Sequence, residues 1–213
     1  MSLFLGKIHY WLFNKILWFQ ELEDKIMELV KDEKIDKKVF NEKINKIYGE
    51  KITNKNLDEI VDKNNIHGWL QSKINSSEER VAAWVKVVLE KCENPIKDLE
   101  AIFKEKALIE AKDLKVFKNI FTAKEIYKAV NDRILDGMPC DRINEILILE
   151  DELVQWKRKI CVHKELWNKE NIDVEIFYRL RGVWIENFIN ELNPEFIYIE
   201  KTGPIFFIRR RGE

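Results

Sequence analysis

Glu152-Leu153-Val154-Gln155-Trp156-Lys157-Arg158-Lys159-Ile160-Cys161-Val162-His163 decides the fold class, because here the hydrophobic period changes. Val154, Trp156, Arg158, Ile160 and Val162 alternate with Leu153, Gln155, Lys157, Lys159 and Cys161, the two-residue repeat of a strand. Residues 173–192 then return to helical spacing through Ile176, Phe177, Leu180, Trp184, Phe188 and Leu192, with Asp173 as cap and Asn193-Pro194 as stop. Glu195 to Arg210 gives two β-rich runs around Lys201-Thr202-Gly203-Pro204, a hairpin.

Upstream the pattern is helical. Residues 3–31 read as one long helix, 36–48 as a second, and 54–63 as a short amphipathic segment. From Ile66 the helical period runs to Cys92, with a break expected at Asn75-Ser76-Ser77-Glu78-Glu79, where Ser76 and Glu79 have capping-box spacing. Pro95 opens a further helix, and Thr122 with Glu125 caps another that ends at Asp136-Gly137. The expected fold is therefore α+β: a predominantly helical body with a small C-terminal antiparallel sheet built as strand, helix and β-hairpin. Residues 1–137 form the helical region and 138–213 the α+β region packed on it, as one compact structural unit.

Composition narrows the function classes. Lys plus Arg (37) and Asp plus Glu (38) cancel across 213 residues, which argues against a nucleic-acid coat. Seven Gly and four Pro fit a helical chain better than a small all-β one. Cys92, Cys140 and Cys161 are too few and too scattered for a secreted disulfide scaffold, so a reducing cytoplasm is expected. The apolar N-terminus is interrupted by Lys7, His9, Asn14 and Lys15 before it could span a bilayer, so no membrane partner is expected.

Two groups of residues carry the chemistry. Ile8-His9-Tyr10-Trp11-Leu12-Phe13-Asn14-Lys15-Ile16 and Ile66-His67-Gly68-Trp69-Leu70-Gln71-Ser72-Lys73-Ile74 agree at six of nine positions. Both imidazoles lie beside an apolar stripe, which makes His9, Trp11, His67 and Trp69, with Trp156, candidate ligand-binding residues. The second group is Cys140, placed after Pro139 in the first turn of an expected helix, together with Cys161-Val162-His163. Cys140 is a candidate nucleophile with His163 as its base, oriented by Asp141, Glu150 or Asp151. Cys161 and His163, on one face of a strand, are candidate ligands for zinc or iron. Arg179-x-Arg181 and Arg209-Arg210-Arg211 read as solvated charge.

The sequence supports two functions. The first is a soluble small-molecule-binding or partner-binding protein with an aromatic-lined pocket between the helical body and the sheet. The alternative is a thiol-dependent or metal-assisted hydrolase using Cys140, Cys161 and His163. No nucleotide-binding glycine loop, hydrolase nucleophile elbow or His-Glu-x-x-His helix is present to favour a standard enzyme class.

Overall fold

Leu12, Ile16, Phe19, Leu22 and Ile26 recur at three- and four-residue steps and are buried along helix α1, Lys7–Leu29. The computed structural model describes residues 4–32, 34–53 and 56–212; the expected helix start at residue 3 and residues 54–55 of the short segment lie outside these. Helix α2, Lys37–Tyr48, begins where the Asp36 carboxylate accepts from the Lys38 and Val39 amides and stops at Gly49, whose φ of 88° suits glycine. A single turn, α3 (Leu57–Ile60), leads to α4, Ile66–Lys91. The Asn65 side chain caps α4 by accepting from the Gly68 amide at 3.1 Å, and it folds over a position that only glycine leaves open.

The expected break in α4 does not occur. Ser77 Oγ donates back to the Ile74 carbonyl at 2.9 Å, a bond made inside a continuous helix. Ser76 to Arg80 are all buried, so tertiary partners hold the segment where local capping would have ended it. Helix α5, Pro95–Phe117, starts at its proline as expected, and α6, Ala123–Asn131, is capped by Thr122 Oγ1 accepting from the Glu125 amide. That helix ends six residues before Gly137, because Asn131 turns its side chain back onto the Tyr127 carbonyl and the chain then buries Ile134 and Leu135 in non-helical conformation.

The α+β expectation holds, with one strand more than the sequence pattern identified. Strand β1, Asn144–Leu149, pairs antiparallel with β2, Leu153–Arg158. A register shift between Ile146 and Ile148 breaks the alternation that would have revealed β1. The alternating run was expected to continue to His163; strand β2 instead ends at Arg158, where the Arg158 and Lys159 amides bond to the Pro204 and Ile143 carbonyls. Residues 159–163 are therefore a connection. Helices α7 (Lys164–Asn168) and α8 (Val174–Leu192) follow, then the hairpin β3 (Phe196–Lys201) and β4 (Ile205–Arg210). The antiparallel order is β1-β2-β4-β3.

Contacts divide the chain into two compact units. The first comprises residues up to 98 with 135–138 and 163–173, and contains α1 to α4 and α7. The second comprises residues 99–134, 139–162 and 174 onward, and contains α6, α8, most of α5 and the sheet. Within the second unit Val154, Trp156, Phe196, Phe206 and Ile208 are buried on one sheet face. The opposite face is half-buried or exposed at every position of β2, β3 and β4. Among the described residues no helix is long and apolar enough to cross a membrane.

Candidate functional site

The two histidines of the repeated motif meet. His9 Nε2 lies 3.2 Å from His67 Nε2, one from α1 and one from α4, with His9 buried and His67 exposed. The Gly6 amide donates to His9 Nδ1 at 2.9 Å, so the proton of a neutral His9 sits on Nε2 and is donated to His67. That assignment leaves neither facing nitrogen a free lone pair for a metal. Burial, and then repulsion from His67, hold His9 below the usual histidine pKa. Trp69 packs on Phe13, with ring centroids 6.3 Å apart, and lines a groove of about 210 Å³ with Lys51, Ile52, Thr53, Ile60 and Lys73. Trp11 carries Lys15 Nζ over its ring at 3.5 Å. Trp156 belongs to the sheet unit, where it stacks on Phe206 and meets Tyr127 at a tilt of 55°.

His163 is enclosed in the first unit at 1% exposure, with Nδ1 2.7 Å from Glu78 and Nε2 3.3 Å from Asp136. Burial pulls its pKa down, but the two carboxylates outweigh burial and push it up to about 9. At neutral pH it is an imidazolium clamped at both nitrogens. It has no lone pair to accept a proton from Cys140 or to bind zinc or iron. The carboxylates that orient it are Glu78 and Asp136, not Asp141, Glu150 or Asp151. Glu78 also accepts from Trp167 Nε1 at 2.9 Å, and the next residues of α4 extend the network: Glu79 bonds Lys169, while Arg80 reaches Glu23, Asn45 and the Gly49 carbonyl.

Cys140 is exposed in a short 3-10 turn, Pro139–Asp141, and Cys161 is exposed in the connection after β2. Among the described residues, no group of three or more His, Cys, Asp or Glu is placed to hold a metal ion.

The sheet unit holds a cluster that the sequence pattern did not single out. Arg158, the last residue of β2, lies on the helix-covered face with Val154 and Trp156. Its guanidinium stacks over the Tyr178 ring of α8, 3.4 Å from the centroid, and lies 5.7 Å from the Phe206 ring. Arg181, one turn further along α8, is buried, with its guanidinium 6.0 Å from the same Phe206 ring. Arg181 thus departs from the solvated charge expected of it; Arg179 keeps to that role, in a surface bond to Glu100.

Glu200 stands opposite Phe206 on β3, its carboxylate close above Gly182 of α8. Burial raises the Glu200 pKa against the pull of Arg181 and Arg158, and Glu175 adds to the rise. The Tyr178 hydroxyl donates to Cys161 Sγ at 3.0 Å, which puts a thiol beside the cluster.

Arg158 is the unusual member. Among the described residues its guanidinium makes no hydrogen bond and meets no carboxylate at ion-pair distance, and its Nη1 is buried without a partner. A half-buried guanidinium held by ring faces, with Glu200 acting on it only from beyond ion-pair distance, is an under-compensated charge. The signal in the sequence was the alternation that puts Arg158 on the Trp156 face, together with Tyr178 and Arg181 one helical turn apart. Comparison with protein-family models, curated proteins and solved structures finds no match for the chain.

Proposed function

We propose that this chain is a small-molecule-binding protein whose ligand is an anion, taken up by the arginine and tyrosine cluster of the sheet unit. The observation that carries the reading is Arg158, a half-buried guanidinium that makes no hydrogen bond and no close ion pair among the described residues and feels Glu200 only at longer range, beside the second guanidinium of Arg181. Guanidinium forks suit carboxylate and phosphate oxygens, and stacking on Tyr178 fixes the plane of one fork before a ligand arrives. Glu200 is the internal carboxylate that such a ligand would displace.

The reading predicts competition. Neutralising Glu200 removes the competitor, so anion affinity rises as the pH falls through its raised pKa, and Glu200→Gln mimics that state at neutral pH. Inorganic phosphate and a series of small carboxylates would be titrated by calorimetry, with iodoacetamide labelling of Cys161 as an independent reporter beside Tyr178. Saturable binding that slows Cys161 labelling, tightens in Glu200→Gln and weakens about tenfold or more in Arg158→Gln supports the site, since a charge-assisted bond contributes about 1.5–3 kcal/mol. Affinities that are identical in wild type and both variants would overturn it.

A further inference from the structure

The uncovered face of the sheet breaks a rule of antiparallel sheets. A face left to solvent alternates with the buried one and is polar, yet the outward positions here include Ile148, Leu153, Ile197, Ile199, Ile205 and Phe207. None of the six is fully buried. Part of this face is a concavity of about 270 Å³ lined by Leu153, Ile199, Lys201, Phe207 and Arg209.

The lining is asymmetric in charge. Lys201 Nζ stands 4.9 Å from the Phe207 ring centroid. Arg209, opposite Leu153 on one side and Ile197 on the other, has a buried Nε without a hydrogen-bond partner. Its guanidinium meets no carboxylate at ion-pair distance among the described residues. With Lys157 the face carries three cations, and its acidic residue is Glu145, paired in register with Lys157 at the edge away from the concavity. A second copy laid face to face would bring Lys201 and Arg209 against their own kind. Complementarity therefore asks for an occupant that is apolar in its body and negative at one end.

We propose that this concavity is a second binding site, distinct from the arginine and tyrosine cluster, for a free amphiphilic anion: an aryl or alkyl body resting on Leu153, Ile199 and Phe207, with one carboxylate or sulfonate between Lys201 and Arg209. The volume lies just under the roughly 300–1,000 Å³ of drug-sized sites, so the occupant is a small molecule. The apolar floor gives affinity and the cations give orientation.

The test uses 8-anilinonaphthalene-1-sulfonate fluorescence on the full chain, with decanoate below its micellar concentration as competitor. One probe per chain, displaced by decanoate and weakened by added salt, is expected. Binding should fall about tenfold or more in Arg209→Gln and in Phe207→Ser, and stay unchanged in Arg179→Gln, an exposed arginine that belongs to neither site. Near-UV circular dichroism of each variant confirms that the fold survives. No saturable binding, or binding that is equal in wild type and both outer-face variants, overturns the proposal. So does concentration-dependent self-association abolished by Phe207→Ser, which would give the face to a second copy. Sedimentation with anionic phospholipid vesicles but no decanoate competition would give it to a membrane surface and overturn the proposal as well.

Discussion

Two clusters of buried charge, one in each unit, are built in opposite ways. In the helical unit Glu23 and Arg80, 2% and 1% exposed, bind each other through two bonds of 3.0 and 2.8 Å, and Asn45 and the Gly49 carbonyl take the remaining guanidinium edge. His163 is likewise closed between Glu78 and Asp136. In the sheet unit Arg158 and Arg209 are half-buried and have ring faces or aliphatic neighbours where a carboxylate would be expected. A compensated network contributes to one specific arrangement of its helices, and opening it is expensive. A half-buried guanidinium without a close ion pair contributes little to its own fold. The difference separates a compensated cluster from an under-compensated one, and it can be attacked from either side.

The largest effect is expected from Arg80→Met. It leaves Glu23 buried with Lys51, at 3.9 Å, as its remaining cation among the described residues, and strips the Asn45 and Gly49 oxygens of their Arg80 donor. Breaking a buried pair by removing one partner destabilises by about 3–5 kcal/mol, whereas replacing both partners with apolar residues is far less damaging. Urea unfolding should show a loss of that size for Arg80→Met and substantial recovery in Arg80→Met with Glu23→Leu. A loss under about 1 kcal/mol, the range of exposed pairs, would mean that the network is not compensating a buried charge at all.

His163 gives the next effect, and its sign is fixed by the direction of the shift. Its folded pKa of about 9 lies above the unfolded value of 6.5, so the folded state holds the proton more tightly. The stabilisation is fully present below pH 6.5 and drains away as pH rises towards 9. At its full extent it amounts to roughly 3 kcal/mol. Glu78→Gln keeps an oxygen for Trp167 but removes the charge, so the alkaline slope of stability between those two values should flatten. Thermal midpoints measured across that window would show it. An unchanged slope would mean that Glu78 does not set the protonation of His163.

How far these charges could be foreseen depends on what each segment's pattern records. Helix α8 and the β3–β4 hairpin were legible because burial there is one-sided and follows a clean period. Strand β1 was not, since the shift at Ile146/Ile148 destroys its alternation, and the run Ile146-Leu147-Ile148-Leu149 has no polar phase to read. The Ser76 to Arg80 segment misled for a different reason. Its polar residues resemble a helix start locally, but are buried by partners dozens of positions away, such as Glu23, Asn45 and Lys169. His9 and His67 meet across α1 and α4, a pairing that the repeated setting of each beside an apolar stripe does not by itself record. The arginine and tyrosine cluster combines the end of β2, the middle of α8 and β3, and no local pattern records which arginine will lack a close ion pair once those segments are assembled.

Arg158→Met should have the smallest effect on stability. Methionine keeps an adaptable apolar contact with the Tyr178 and Phe206 rings. The substitution loses a cation–π interaction of about 0.5–2 kcal/mol, and it also removes a buried unpaired Nη1, whose unmet bond costs about 1–3 kcal/mol. These contributions oppose each other, so urea unfolding should move by less than about 1 kcal/mol in either direction. Anion binding by the same variant should nevertheless be lost, because methionine offers no donor. Near-neutral stability with lost binding is the pattern of a residue kept for its ligand. A loss of more than about 2 kcal/mol would instead place Arg158 with Arg80, as a charge the fold itself depends on, and the contrast between the two units would collapse.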